Sequence, residues 1–433
     1  MAETYYKIKG GRSLEGKVRI RGAKNSALEL MAASLLTAEP VILKNVPVLS
    51  DIAVMAELLA SLGTEIEWDK TAGTMRLFTP VVKGTRASAE IVSKMRASIY
   101  VLGALLGREG KAEIPVPGGC TIGARPIDVH LRLISELGAE LEEKAEFVHA
   151  KGPLVGARVN GLVRMEGGWE VTTHGGNVNA IMTAVLAKGT TVITHATLEP
   201  EVDDLISMLA MMGARIGRKR ADGVNTIVIE GVASLHGVTY DVMPDRLEAA
   251  TYAVAGIMTR GEVELIGADL SKMDAIVEAL RGAGGVVEPT PFGFAASGKG
   301  VGRFKPIDVL AAMYPAVPTD AQSQIMALAT LADGVSTVRE IIFENRLMYV
   351  PEFRKLGAKI DIIDSHTAKF TGVPALHGAE LVTPDIRAGA ALAIAALAAE
   401  GESTLGAIHH ILRGYQDFVG NLRSLGAGIE ECS

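Results

Sequence analysis

The chain has 433 residues, 48% of them hydrophobic but only 4% aromatic, and a net charge of −7. That length exceeds what one compact core holds, so two or three α/β domains packed by Ala, Val, Ile and Leu are expected. The acidic balance argues against nonspecific nucleic-acid binding, and any anionic ligand must be held by a local cluster of basic side chains.

In chain order, Met1 to Gly11 is polar and charged, without the apolar core of a signal peptide. Two cysteines argue against a disulfide framework and suit a reducing compartment, so a cytoplasmic protein is expected. Gly22-Ala23 then gives way to Lys24-Asn25 and the apolar-periodic run Ala27, Leu30, Met31, Ser34 and Leu35, a helix start. A lysine at a helix start opposes the dipole. It makes sense where an anion is bound by the lysine and by free backbone N–H groups, the alternative being a solvated lysine at a loop end.

A short signature of helix end, glycine turn and strand then recurs six times. It reads Leu62-Gly63-Thr64, Leu137-Gly138-Ala139, Met212-Gly213-Ala214, Ala283-Gly284-Gly285, Leu356-Gly357-Ala358 and Leu425-Gly426-Ala427. The glycines are 75, 75, 71, 73 and 69 residues apart. A second signature keeps the same beat at Glu109-Gly110, Lys188-Gly189, Arg260-Gly261, Asp333-Gly334 and Glu400-Gly401. Glycine just past a helix accepts the left-handed conformation that stops it. Each unit thus holds two helices and several strands, too long for a helical solenoid repeat. Two sets of three units give two similar domains.

Between the first and second of these turns lies the loop Pro115-Val116-Pro117-Gly118-Gly119-Cys120-Thr121-Ile122-Gly123-Ala124-Arg125-Pro126. Prolines restrict its backbone, and glycines let main-chain N–H groups approach a ligand closely. A thiol beside such donors and an arginine sits in an electropositive setting that lowers its pKa. Further on, Gly293 to Gly300 reads as a phosphate-binding loop until its last position, which lacks the Ser or Thr needed for magnesium. Pro289 and Pro291 spoil a preceding strand, so a hairpin or linker is expected. Ala388 to Ala399 is too short to span a bilayer. His409 and His410 are expected to point apart, and no metal site is predicted.

Taken together, Gly22-Ala23-Lys24-Asn25-Ser26-Ala27, Lys94-Met95-Arg96-Ala97-Ser98-Ile99, the Pro117 to Pro126 loop, Pro318-Thr319-Asp320-Ala321-Gln322-Ser323-Gln324, Phe343-Glu344-Asn345-Arg346, Asp385-Ile386-Arg387-Ala388 and Arg413-Gly414-Tyr415 resemble the enolpyruvyl transferases. The resemblance covers essentially the whole chain and points to the branch that uses a nucleotide sugar in bacterial cell-wall synthesis. It implies an α/β fold of two inside-out α/β barrel domains, each of three βαβαββ repeats with pseudo-threefold symmetry. One domain would span 21–233 and carry the Cys120 loop; the other would join 1–20 to 234–433. Substrates would bind in a cleft between domains that then close.

The implied reaction joins phosphoenolpyruvate to the 3′-hydroxyl of UDP-N-acetylglucosamine and releases phosphate, without a cofactor or metal. The alternatives are another acceptor, such as shikimate 3-phosphate, or a non-catalytic nucleotide-sugar-binding paralogue. By resemblance, Cys120 is the acid toward C3 of phosphoenolpyruvate and Asp320 the base at the sugar hydroxyl, with Lys24 and Arg413 completing the catalytic set. An aspartate after Pro-Thr also fits a helix N-cap. Lys24, Asn25, Arg125, Arg387 and Arg413 would hold phosphoenolpyruvate, the guanidinium fork suiting phosphate and carboxylate. Arg96, Arg125, Pro126, Ile127, Asp128, Val129, Thr173, His174, Gly175, Asp320 and Ile342 would hold the sugar nucleotide, and Arg346 adds a further cation. Val171, His174, Tyr100 and Leu412 depart from the common pattern of the family. The partners are the two small molecules, with no nucleic acid and no membrane; the oligomeric state is left open.

Overall fold

The computed structural model describes residues 4–115, 127–144, 146–165, 167–221 and 223–433. The chain divides into two compact units. One takes the residues up to Arg21 together with Pro244–Ser433, and the other runs from Gly22 to Met243. The return expected near Ser234 lies at Met243–Pro244, because strand Val238–Asp241 pairs in parallel with Val41–Lys44 of the second unit.

The six turn glycines Gly63, Gly138, Gly213, Gly284, Gly357 and Gly426 all have φ between 90° and 108°, the left-handed stop the sequence implies. In the second signature Gly110, Gly189, Gly334 and Gly401 also have positive φ. The third copy differs: Arg260 takes the turn at φ 60°, and a Cβ on Gly261 would stand 1.9 Å from the Leu14 carbonyl oxygen.

Each repeat builds the same sheet. Strands Glu65–Asp69, Thr74–Phe78, Val41–Lys44 and Val238–Asp241 lie side by side, the first three antiparallel and the last parallel. The pattern recurs with Arg215–Ala221, Val224–Glu230, Thr190–Thr194 and Arg158–Asn160. The Cys120 repeat keeps three strands, with a parallel Arg86–Glu113 bridge in the fourth place. In the other unit the N-terminal segment completes two sheets. Tyr5–Lys9 lies between Glu402–Gly406 and Gly428–Cys432, and Glu15–Arg19 runs parallel to Glu262–Ile266. Those first strands are therefore structural parts of the C-terminal half.

Inside each unit lie helices buried nearly all round. Arg246–Met258 is buried at every residue, Thr319–Ala329 from Ala321 onward, and Ile386–Ala398 from Arg387 to Leu397. These three pack pairwise. Their Ala-rich faces are the reason: small side chains let helices approach at interior density. In the second unit the buried helices are Lys24–Ala33, Tyr100–Glu109 and His174–Ala184. Gly103 sets the closest approach, since a Cβ there would stand 2.5 Å from the Asn179 carbonyl oxygen. Half-buried helices such as Ser50–Ser61, Pro200–Met211 and Asp274–Gly282 accompany them. The alanine run Ala388–Ala399 is thus core, and no helix of the described residues is long and apolar enough to cross a membrane.

Two local expectations are corrected. Pro289 does not break its strand: Val286–Thr290 pairs with Gly293–Ser297 as a hairpin, and Pro289 is accommodated because that strand is at the sheet edge. His409 and His410 do not point apart. They lie in a 3₁₀ turn, Ile408–Arg413, with ring centroids 4.1 Å apart.

Candidate functional site

In the unit holding the C-terminal half, polar residues gather where buried helices begin. Asp320 is the second residue of helix Thr319–Ala329; the N-cap is Pro318, so the capping alternative fails. Its carboxylate faces two arginines instead. Arg346 Nη2 donates to Asp320 Oδ1 at 2.8 Å, and Arg387 Nε reaches Oδ2 at 3.5 Å. Arg346 also donates through Nε and Nη2 to the Thr319 carbonyl at 3.1 and 3.0 Å, and its Nη1 lies 3.8 Å from Asp385. Asp385 caps its own helix, accepting from the N–H groups of Arg387 and Ala388. The side chains of Arg346 and Arg387 are 3% and 2% exposed, while that of Asp320 keeps 28%.

A buried guanidinium resists charging, but Asp385, Asp320 and Glu340 hold Arg346 above its ordinary pKa. Arg387 is likewise raised despite burial, by the Tyr415 oxygen, Asp320 and Asp245. Its guanidinium carbon stands 5.2 Å from the Tyr415 ring centroid. Among the described residues, both Nη atoms of Arg387 are buried without a hydrogen-bond partner. Orphaned cationic donors of this kind are costly unless an anion takes them.

Glu340 extends the cluster. It is fully buried, accepts from Thr319 Oγ1 at 2.6 Å and from the Ile342 and Phe343 N–H groups at 2.7 and 3.2 Å. The Ile342 N–H is therefore already engaged, and only its carbonyl could meet a sugar. Tyr415, Thr251 and Gln324 form a buried hydroxyl and amide triangle below Asp320, with Gln324 Nε2 donating to the Asp320 carbonyl. Arg413 is half-buried, and its charge, after burial and His409, helps push the His410 imidazole down.

In the second unit, Lys24 opens helix Lys24–Ala33 and is buried, which rules out the solvated alternative. Its Nζ lies 3.4 Å from Asp51 Oδ2, a carboxylate of the neighbouring helix Ser50–Ser61. Asn25 is half-buried next to it. Some of the residues expected to hold a sugar nucleotide lie at two helix starts of this unit. Asp128 and Val129 open helix Asp128–Glu136 directly after Ile127, and Thr173 caps helix His174–Ala184 by accepting from the Gly176 N–H. A Cβ on Gly175 would meet the His130 ring at 2.7 Å and Tyr100 at 3.5 Å. His130 links this group to Arg96. Burial, then the charges of Arg96 and His174, push it down to about 4. The Asn179 amide agrees, because its Oδ1 accepts from the Gly103 N–H and its Nδ2 donates to His130 Nδ1 at 2.8 Å. Cys120, Arg125 and Pro126 lie outside the described residues.

Sequence analysis missed Glu29, His130, Glu340 and Asp385. Glu29 had a readable signal, a charged residue within the apolar run Ala27-Leu28-Glu29-Leu30-Met31. Glu340 had none, since a strand-end glutamate is usually solvated.

The family EPSP synthase (3-phosphoshikimate 1-carboxyvinyltransferase) matches residues 8–422. The chain belongs to the EPSP synthase family of enolpyruvyl transferases. Within that family, the UDP-N-acetylglucosamine 1-carboxyvinyltransferases of Dinoroseobacter shibae and Sphingopyxis alaskensis are each 44% identical, over 98% of this chain and 98% of theirs. Among solved structures, the enolpyruvyl transferase NikO from Streptomyces tendae superposes with a TM-score of 0.89 at 27% identity, covering 99% of both chains. The EPSP synthase of Acinetobacter baumannii, at 16% identity and a TM-score of 0.77 over both full chains, shares the fold.

Proposed function

We propose that this enolpyruvyl transferase moves the enolpyruvyl group of phosphoenolpyruvate to the 3′-hydroxyl of UDP-N-acetylglucosamine and releases inorganic phosphate. The observation that carries it is the Asp320 cluster: a partly exposed carboxylate beside a buried Arg387 whose two Nη donors await an anion. Relatives of that activity at 44% identity over almost the full chain support the acceptor. Shikimate 3-phosphate is disfavoured as acceptor, because those relatives are named for UDP-N-acetylglucosamine. The buried helices of each unit support its finer reading as an inside-out barrel, and two cysteines in 433 residues suit a reaction in the cytoplasm.

In this reading Arg387 and Arg413, with Lys24 and Arg125, hold the phosphate and carboxylate of phosphoenolpyruvate. Arg96, Ile127, Asp128, Val129 and Thr173–Gly175 hold the sugar nucleotide. Asp320 removes the 3′-hydroxyl proton as the sugar oxygen bonds to C2, while Cys120 protonates C3. The adduct returns to an enol ether by losing a proton from C3 as the C2–O bond to phosphate breaks. Asp320 is suited to this because Arg346, itself anchored on the Thr319 carbonyl, aims it and its partial exposure lets a hydroxyl approach.

A phosphate-release assay tests the reading. Release with phosphoenolpyruvate and UDP-N-acetylglucosamine, and none with shikimate 3-phosphate, is the expected result; silence with both acceptors overturns it. Fosfomycin, an electrophilic phosphonate epoxide, is expected to alkylate Cys120 and stop turnover. Mass spectrometry that places the adduct on Cys432 alone would remove Cys120 from the mechanism.

A further inference from the structure

Glu29 is the most unusual charge in the second unit. It sits within the buried helix Lys24–Ala33, fully buried, between Leu28 and Leu30. A buried carboxylate is costly unless paired and hydrogen-bonded. Among the described residues Glu29 has one partner: His174 Nε2, 2.5 Å from Oε1. Oε2 has none. His174 is the first residue of helix His174–Ala184, held there by the Thr173 cap, and its side chain keeps 22% exposure. With Nε2 engaged by Glu29, Nδ1 is the ring nitrogen left for another partner on this part-exposed side chain.

We infer that Glu29 is a positioning residue for the sugar-nucleotide site: it holds His174 as an imidazolium whose Nδ1–H donates to a phosphate oxygen at the start of helix His174–Ala184. This deepens the reading above and rests on it.

The surroundings favour that state. Facing the pair from helix Pro200–Met211 are Glu201 and Asp204, with Glu199 just before it. Asp204 is in turn bonded by Ser26, by Tyr240 Oη at 2.7 Å and by the Met243 N–H at 3.2 Å. From helix Asp128–Glu136 comes His130, which is neutral, with Arg96 beyond it. Burial opposes charge on both members: it pushes Glu29 up, against the pull of His174, but at His174 it is outweighed by Glu29, Glu199 and Glu201, which push the imidazole up to about 9. If His174 lost its proton while Nε2–H stayed on Glu29, Nδ1 would become a bare acceptor and repel a phosphate. The carboxylate therefore sets which face the ring shows to an anion, and it does so from the core, touching no substrate.

The test is Glu29→Gln, which keeps size and a hydrogen bond but cannot hold the imidazolium. The KM for UDP-N-acetylglucosamine is measured from pH 5.5 to 8.5 at saturating phosphoenolpyruvate. The variant-to-wild-type KM ratio is expected near one at pH 5.5, where both imidazoles are protonated. It should rise to roughly fivefold or more at pH 8, the scale of exchanging a charge-assisted for a neutral hydrogen bond, with kcat little changed. A ratio that is flat across pH, or equal to one throughout, overturns the proposal.

Should the variant fail to fold, ¹⁵N-histidine NMR of the wild-type protein decides. His174, assigned by its loss in His174→Gln, is expected to remain an imidazolium through pH 8, and its Nδ1 signal to shift when UDP is added. Titration near the ordinary value, or indifference to UDP, overturns the proposal. If the wild type releases no phosphate with UDP-N-acetylglucosamine, the acceptor reading fails, and the UDP titration still judges the role of Glu29 alone.

Discussion

Glu29 in one unit and Glu248 in the other are both acids on fully buried helices, yet they are stabilised differently. Glu29 meets an imidazole from the neighbouring helix. Among the described residues Glu248 accepts only from the Arg21 N–H at 3.2 Å, and its second oxygen has no partner. Burial, followed by the charge of Asp245, pushes Glu248 up to about 8. The larger surroundings follow the same division. In the second unit each cation at a helix start leans on a carboxylate from a neighbouring helix, Lys24 on Asp51 and His174 on Glu29. In the other unit the arrangement is inverted: one carboxylate, Asp320, is shared by two arginines, and donors of Arg387 are left over. One architecture thus supports a cluster of balanced pairs and a cluster with cationic donors to offer. The helices supply the positions, and residues from neighbouring elements decide the charge state.

The largest effect is expected at Asp320. Asp320→Asn keeps the size and one acceptor for Arg346, so folding should persist while turnover falls by roughly 10²-fold or more, the scale of losing a general base. Steady-state kinetics that retain most of the turnover would reduce the arginine-flanked carboxylate to a structural pair and erase the contrast between units.

Next comes Glu248→Gln. The folded pKa is raised, so the unfolded carboxyl ionises first as pH climbs, and wild-type stability falls between about 4.5 and 8. Melting temperatures of variant and wild type should therefore agree near pH 4. The variant should gain several degrees by pH 8 and hold that gain above it. A gain of equal size at every pH would mean that Glu248 is already paired and differs little from Glu29.

The smallest effect separates two turn glycines, one per unit. Gly426 has φ 91° and open space around a Cβ, so Gly426→Ala should cost about 1 kcal/mol, from the backbone alone. Gly213 has φ 96°, but a Cβ there meets the His236 ring at 3.2 Å. Gly213→Ala should cost more, unless that ring swings aside. Urea unfolding of both variants measures the difference, and equal losses would show that the ring yields.

Much of the architecture was legible because its signals are local. The Gly213 and Gly426 turns follow from where a helix must stop, and their spacing revealed the sixfold repeat before any coordinates. The run Ala388–Ala399 read only as too short to span a bilayer, and folding made it a core helix. Of the site, Lys24, Asp320 and Arg387 stood out through the residues around them in sequence. His130, Glu340 and Asp385 did not, because each matters through a neighbour far along the chain: His130 through Gly175, Glu340 through Thr319 and Asp385 through Arg346. Sequence alone therefore determined the repeat, its turns and the family to which the chain belongs. Tertiary structure alone decided that Tyr5–Lys9 completes a C-terminal sheet, that Asp320 faces two arginines, and that Glu29 meets His174 145 residues away. The reason is physical: a turn depends on the φ of one residue, whereas the charge of a buried carboxylate depends on what folding brings within hydrogen-bond distance.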